Sequence, residues 1–181
     1  MEDSSQIKSG KNKRQQLDAY DEVHKIALKV DSNEEFEFID WLNEAFKLGI
    51  IIDFNYQPES FTLSGPKTYI DTKHKSRCLF REHVYSPDFT LDVDVTKFPS
   101  LLDCFKVGKD TPDMKILRFY IDVKGEFARN GGGRSFSINQ KWMYEANGIY
   151  VYKLVPKEFF KKFGLPDACR LTKKTKKPSK K

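Results

Sequence analysis

The sequence has little of what would place a protein in a membrane or outside a cell. Although 39% of its 181 residues are hydrophobic, its longest apolar run, 48–52, is only strand-sized, whereas a membrane-spanning helix needs about 20 such residues. The first residues, MEDSSQ, lack the apolar segment of a signal peptide. The three cysteines, Cys78, Cys104 and Cys169, form neither a C-x-x-C pair nor a zinc-ligand spacing. We therefore expect a cytoplasmic protein with reduced cysteines and no membrane partner.

Positive charge is present in excess and is concentrated at the two ends of the chain. The formal net charge is +6, and residues 171–181 carry six lysines and no acid, while residues 8–14 carry four basic side chains. Such runs are typical of solvated tails, and some of them also bind nucleic-acid phosphates. Lys173 and Lys174 are accordingly candidate DNA-binding residues.

Length and composition predict one domain between two tails. We interpret residues 1–14 as a disordered basic segment, residues 15–168 as the domain, and residues 169–181 as a disordered lysine-rich tail. A domain of that size is large enough to bury a single hydrophobic core.

Hydrophobic periodicity predicts an α/β protein with a mixed central sheet flanked by helices. The expected elements are a short helix at 15–24, a strand at 24–30 (or a continuation of that helix), a helix at 33–48, strands at 50–56 and 60–64, a basic connection at 68–81 that is partly a hairpin, a strand from about 88, a loop at 96–113, a strand at 114–124, a mobile Gly-rich segment at 128–134, a helix at 137–146, a strand at 149–154 and a helix at 157–163.

Two carboxylates stand out on neighbouring predicted strands. The segment 119–125, FYIDVKG, alternates apolar and polar residues, which places Asp122 and Lys124 on one face of a strand. Asp88 opens a second alternating strand and would lie opposite Asp122 across a hairpin whose turn falls within 96–113. Two carboxylates that close repel each other unless a divalent cation lies between them. Taken alone, the Asp-x-Lys pattern is also compatible with an ordinary ion pair.

A third acidic position opens the first long helix. Ser32 to Glu35 form a capping-box pattern, in which the serine oxygen accepts a backbone N–H and the glutamate reaches back. The same Glu35 shares an apolar helix face with Ile39 and Leu42, where an unpaired carboxylate is costly. Glu34 is the alternative acid at this position.

Taken in order, these motifs resemble the PD-(D/E)xK nuclease superfamily. The Ser-x-x-Glu of the first helix, a strand after Gly-Ile, Tyr-x-Pro-Asp-Phe at 85–89 and Tyr-x-Asp-x-Lys-Gly at 120–125 are similar to endonuclease I type Holliday-junction resolvases of phages and to related small phage nucleases. The resemblance covers residues 32–154. The chain departs from the pattern in the 33 residues between Asp88 and Asp122 and in its basic tail, which leave the substrate preference open.

The resemblance implies a restriction-endonuclease-like core and a metal-dependent DNA endonuclease. Asp88 and Asp122 would bind Mg²⁺, with Mn²⁺ as a substitute, together with the carbonyl of Val123. Glu35 would join them directly or through a water. Lys124 would orient the attacking water and offset developing charge. Glu35, Asp88, Asp122 and Lys124 are thus the expected catalytic residues.

The resemblance also implies branched DNA as substrate and a homodimer that cuts two strands symmetrically. Lys141 on the second predicted helix resembles a basic residue of the superfamily, with Gln140 as its rival, and Arg129 and Arg134 flank a Gly-rich loop that would reach phosphates. A plain solvated surface is the alternative for each. The competing functions are a nicking or restriction-type nuclease on linear DNA, and a non-catalytic nucleic-acid-binding protein with this fold.

Aromatic residues near these motifs are interpreted as structural. Tyr85 is expected to pack, and Phe136, Trp142 and Tyr150 are expected in the core rather than in a base-stacking surface.

Overall fold

A computed structural model describes residues 16–97, 99–104, 115–125 and 133–164. Within these ranges the strands are β1 (Leu17–Asp21), β2 (Ile26–Val30), β3 (Ile51–Tyr56), β4 (Phe61–Ser64), β5 (Lys67–Ile70), β6 (Ser76–Phe80), β7 (His83–Tyr85), β8 (Phe89–Asp94), β9 (Ile116–Val123) and β10 (Val151–Leu154). The helices are α1 (Asn33–Lys47), α2 (Ser100–Cys104), α3 (Gly133–Asn147) and α4 (Pro156–Phe163).

The centre of the fold is a mixed sheet in the order β10-β9-β8-β3. Strand β10 runs parallel to β9, whereas β9 is antiparallel to β8 and β8 is antiparallel to β3. Helices pack on both faces of this sheet, so the predicted α/β class with a flanked mixed sheet is confirmed. No helix in the described part of the chain is long and apolar enough to cross a membrane.

Helix α1 begins and ends where its sequence indicates. The backbone N–H of Glu35 donates to Ser32 Oγ at 3.2 Å, which satisfies one of the free donors of the first turn. At the other end, Gly49 has a φ of +66°, a left-handed conformation that costs glycine little. The chain therefore reverses direction at Gly49, and β3 begins two residues after it.

One face of the sheet forms the main core with α1 and α4. Phe38 of α1 meets Phe89 and Phe159 edge to face, with ring centroids 5.2 and 5.8 Å apart. Phe38, Phe89 and Leu91 are at most 1% exposed, and burial of such a side chain contributes roughly 1.5–3 kcal/mol. This packing fixes α1 against β8 and so places the N-terminus of α1 relative to the sheet.

The opposite face carries a second, smaller core under α3. Met143 and Phe136 of α3 pack with Tyr85 and Val151, and Tyr120 lies against this cluster. Because side chains alternate along a strand, the polar side chains that alternate with the main-core residues of β9 lie on this second face.

The predicted helix at 15–24 is wrong: residues 17–21 form the first strand of the β1–β2 hairpin and residues 22–25 its turn, with Leu17 opposite Val30. Asp21 Oδ1 accepts the backbone N–H groups of Val23 and His24 at 2.8 and 3.0 Å. This local bonding competes with helix formation, and turn chemistry prevails over helical propensity.

One other segment agrees with the prediction and two differ from it in detail. The connection at 68–81 is a hairpin, β5–β6, as expected in part. The loop at 96–113 contains the short helix α2, and α3 begins at Gly133, inside the segment expected to be Gly-rich and mobile. Residues 1–15, 98, 105–114, 126–132 and 165–181, which include both predicted tails, lie outside the described residues.

His24 makes the hairpin sensitive to pH. Its Nδ1 lies 2.8 Å from Asp21 Oδ2 and its Nε2 lies 3.2 Å from Asp53 Oδ1. The hydrogen bond with Asp21 raises the pKa of His24 above its ordinary value of 6.5, against a smaller lowering by burial. A raised folded-state pKa contributes stability that is fully present below about pH 6.5 and is lost as pH rises through the folded-state value.

We therefore expect the free energy of unfolding to fall as pH rises above about 6.5, and His24→Gln to flatten that dependence. Urea unfolding followed by circular dichroism across this range measures the effect. His74→Asn, at an exposed turn position with a φ of +56°, is the matched control and should keep the wild-type slope. An unchanged slope in His24→Gln would contradict the assignment.

Candidate active site

Strand register brings the two predicted carboxylates side by side. Phe89 of β8 pairs with Ile121 of β9, and the next position along the same antiparallel register sets Asp88 opposite Asp122. The backbone N–H of Val123 donates to Asp88 Oδ2 at 2.8 Å. The site therefore lies at the edge of the sheet where β8 begins and β9 ends.

Burial makes this pair of carboxylates electrostatically unfavourable. Asp122 is 3% exposed. Burial, and then the charge and hydrogen bonding of neighbouring Asp122, raise the pKa of Asp88 from 3.8 to about 8. Without a cation, Asp88 carries a proton for much of the time at neutral pH, because two ionised carboxylates repel in a poorly solvated place.

Lys124 supplies the positive charge nearest to the pair. Its Nζ contacts Asp122 Oδ1 and lies 3.8 Å from Asp88 Oδ2. Burial alone would lower the pKa of Lys124, but the interactions with Asp122 and Asp88 outweigh it and raise that pKa. The side chain is therefore an ammonium at neutral pH.

Tyr85 completes the surroundings of Asp122. Its hydroxyl donates to Asp122 Oδ2 at 2.5 Å. Burial, and then the charge of Asp122, raise the pKa of Tyr85, so the phenol keeps its proton and acts as a donor. The other carboxylate oxygen, Asp122 Oδ1, is buried, and among the described residues its contact is with Lys124 Nζ.

Glu35 lies at the same edge of the sheet but outside the carboxylate pair. Its Oε2 accepts the backbone N–H of Asp31 at 3.2 Å and the hydroxyl of Tyr56 at 2.8 Å. The serine half of the predicted capping box is present, whereas the glutamate binds the N–H one residue before Ser32. The charge of Glu35 also helps to raise the pKa of Lys124, after the larger effects of Asp122 and Asp88.

Glu34 approaches the site from the same turn of α1. A Cβ atom added to Gly125 would lie 2.7 Å from Glu34 Oε1, so this carboxylate packs directly against the backbone that follows Lys124. Both acids considered from the sequence therefore reach the sheet edge: Glu35 is buried against Tyr56, and Glu34 is against Gly125.

Two of the predicted DNA-binding residues lie on α3. Arg134 is in the first turn of α3 and Lys141 is exposed farther along that helix. Gln140, the rival of Lys141, donates from Nε2 to the carbonyl of Val151 at 2.6 Å and so holds α3 on β10. Arg129, Lys173 and Lys174 lie outside the described residues.

The donor chemistry fits a small, hard divalent cation only in part. Two carboxylates lie together, which suits an oxygen-loving metal. The buried oxygen Asp122 Oδ1 is in contact with Lys124 Nζ, and the Val123 backbone group observed here is the N–H that donates to Asp88. The Val123 carbonyl as a metal ligand stays a prediction. Among the residues that the structure describes, no three His, Cys, Asp or Glu side chains converge as a metal cluster. Two of the three expected side-chain ligands, Asp88 and Asp122, are together, and Glu35 stands apart.

Two tyrosines near the acids were not assigned a site role from the sequence. Tyr85 packs in the second core as expected and also binds Asp122, while Tyr56 binds Glu35. Two features of the sequence could have indicated these roles. A buried tyrosine hydroxyl usually has a hydrogen-bond partner, and each of these tyrosines stands two residues before a proline that ends its strand.

Two aromatic residues expected in the core are exposed instead. Trp142 is 44% and Tyr150 is 50% exposed, whereas Phe136 is buried as predicted. On α3, Trp142 meets the ring of His83 edge to face.

Comparisons with protein-family models, with curated proteins and with solved structures found no match to this chain.

Replacing Asp88 by Asn should stabilise the metal-free protein. The change removes one charge from the buried pair while the amide oxygen can still accept the Val123 N–H. We expect the free energy of unfolding at pH 8 to rise by about 1 kcal/mol or more, because each unit of raised pKa corresponds to about 1.4 kcal/mol. Urea unfolding in the presence of a chelator measures this.

Asp92→Asn is the matched control on the same strand, since Asp92 pairs with Arg118 at 2.6 Å on an exposed surface and such pairs contribute at most about 1 kcal/mol. Adding Mg²⁺ should raise the unfolding midpoint of the wild type and of Asp92→Asn, but not that of Asp88→Asn. A lowered stability of metal-free Asp88→Asn would contradict the repulsion between the carboxylates.

Tyr85→Phe removes the hydroxyl donor to Asp122 but keeps the packed ring. We expect weaker Mn²⁺ binding, by about 10- to 100-fold, because groups that orient a metal ligand typically matter by that factor. Calorimetric titration with Mn²⁺ measures the affinity, with Tyr150→Phe on the exposed surface as the control. Equal affinities in the two variants would exclude an orienting role.

Proposed function

We propose that this protein is a metal-dependent DNA endonuclease with a restriction-endonuclease-like core. The observation that carries the proposal is the grouping of Asp88, Asp122 and Lys124 at one edge of a mixed sheet. Titratable groups whose pKa values are shifted by burial and by a charged neighbour, as those of Asp88 and Lys124 are, are frequent at functional sites. The order of the motifs along the chain supports the same reading.

Each side chain of the cluster has a role that follows from its contacts. Asp88, held by the Val123 N–H, and Asp122, held by Tyr85, present oxygen ligands to Mg²⁺ or Mn²⁺. When bound, the cation supplies Lewis acidity toward the phosphate and a more acidic water. Lys124 is an ammonium beside both carboxylates, and this charge is suited to stabilising a phosphate that becomes more negative during hydrolysis.

Within this class, a resolvase that cuts branched DNA is the first choice, because the motif order is most similar to that family. Such an enzyme acts as a homodimer, since two strands are cut symmetrically. A nuclease that nicks or restricts linear duplex is the alternative with the same chemistry.

One observation favours a second candidate, a nucleic-acid-binding protein that does not cut. Lys124 already offsets the charge of the carboxylate pair, and Glu35 is engaged with Tyr56 rather than with that pair. A site of this kind can persist without a metal.

Cleavage of a synthetic four-way junction and of its matching linear duplex, in Mg²⁺ or Mn²⁺, separates these possibilities. We expect paired nicks in the junction by the wild type, and a rate lower by about 100-fold or more for Asp122→Asn, because a metal-binding and charge-stabilising group is lost. Asp92→Asn should retain the wild-type rate.

Cutting of both substrates would keep the nuclease and discard the resolvase. If the wild type cuts neither substrate in either metal, the endonuclease is excluded and the non-cutting DNA-binding protein takes its place.

A further inference from the structure

A basic hairpin projects from the domain just before the carboxylate pair. We name residues 67–80, which comprise β5, β6 and their turn, the arm. All nine residues of β5 and β6 are exposed, so the arm has no packed face of its own. Hairpins of two strands that bury nothing are at most marginally stable in water, which indicates that the arm acts through a partner.

The tip of the arm is nevertheless held in one shape. Asp71 Oδ1 accepts the backbone N–H groups of Lys73 and Lys75 at 2.8 and 2.9 Å, and Asp71 Oδ2 accepts Arg77 Nε at 2.9 Å. These bonds leave the side chains of Lys73 and Lys75 exposed. The tip therefore presents two cations on an ordered turn.

The composition of the arm fits a polyanion with flat apolar surfaces. Residues 67–82 carry five basic side chains and two acids, and both acids, Asp71 and Glu82, are engaged in hydrogen bonds within the ribbon. Four large apolar side chains are also exposed: Tyr69, Ile70, Leu79 and Phe80. A second copy of a chain with a net charge of +6 would be repelled by this surface, whereas nucleic acid would be attracted.

The base of the arm is tied to the candidate active site. The ribbon continues from the arm through paired strands β4 and β7, where Phe61 lies opposite Tyr85. Tyr85 in turn binds Asp122, and Asp88 follows three residues later. A strand of four or five residues spans about 13–17 Å, and the DNA major groove, about 12 Å wide and 8.5 Å deep, admits a two-stranded ribbon.

We propose that the arm enters a groove of duplex DNA beside the cleavage position and holds that duplex through Lys73 and Lys75. This inference rests on the proposed function, because it takes DNA as the ligand of the site. It assigns DNA binding to residues outside the set expected from the sequence.

The test is the binding of linear duplex DNA by the full chain with Ca²⁺ in place of Mg²⁺, followed by fluorescence anisotropy at several salt concentrations. Lys73→Ser/Lys75→Ser removes the two tip charges and leaves the backbone bonds of the turn. We expect Kd to rise about tenfold and the slope of log Kd against log salt to fall by up to about 2, roughly 0.9 for each lost phosphate contact. Lys73→Glu/Lys75→Glu should weaken binding further.

Lys29→Ser/Lys47→Ser is the matched control. It removes two exposed lysines that pair with Asp18 and Glu22 near the β1–β2 hairpin and the C-terminal end of α1, away from the N-terminal end that approaches the site. We expect its Kd and salt slope to stay within twofold of the wild-type values. Tip variants that bind DNA as this control does would overturn the proposal.

The possible outcomes distinguish failure of the proposed DNA binding by the arm from failure of the proposed endonuclease activity. If the wild type binds duplex through the arm but never cuts DNA, the endonuclease fails and the arm stands. If the wild type cuts and the tip variants bind normally, the arm fails and the endonuclease stands. If the wild type does not bind duplex DNA, DNA binding by the arm is excluded. If the tip variants lose self-association in sedimentation, the arm binds a second copy of the chain instead of DNA.

Discussion

The antiparallel pairing of β8 with β9 is the constraint on which the candidate site depends. Its register sets Asp88 against Asp122, and the Val123 N–H and the Tyr85 hydroxyl then hold one carboxylate each. A shift of one residue would move one member of the pair to the opposite face of the sheet. The buried alternation of Phe89, Leu91 and Val93 prevents that shift, because it would expose the main core.

The same arrangement brings two carboxylates that repel each other, Asp88 and Asp122, together at one end of the central strands. Two carboxylates in a poorly solvated position are stabilised only by positive charge and by hydrogen-bond donors. Lys124 and Tyr85 provide both, and a divalent cation would do so more completely. The local cost is tolerated because aromatic packing between α1, the sheet and α4 holds the surrounding backbone in place.

Residues whose behaviour depends on local chemistry were predicted well. The cap at Ser32, the helix end at Gly49 and the last helix after Pro156 follow from backbone preferences that act over a few residues. The first strand of the β1–β2 hairpin was missed, since its helical propensity is overridden by the hydrogen bonds of Asp21 to the turn, whereas the second strand was predicted. The exposure of Trp142 was also missed, because hydrophobicity alone does not tell which side of a helix meets the core.

The sequence by itself determined which acidic and basic groups stand at strand ends, because alternation with apolar residues assigns each side chain to a face. Only the tertiary structure decided what these groups meet. It placed Tyr85 on Asp122, turned Glu35 toward Tyr56, and extended residues 67–80 away from the domain. The physical reason is the separation along the chain of the residues that interact. Periodicity and capping act between near neighbours, whereas the contacts of Tyr85 and Tyr56 join residues 37 and 21 positions apart, which meet only when the sheet and its helices pack.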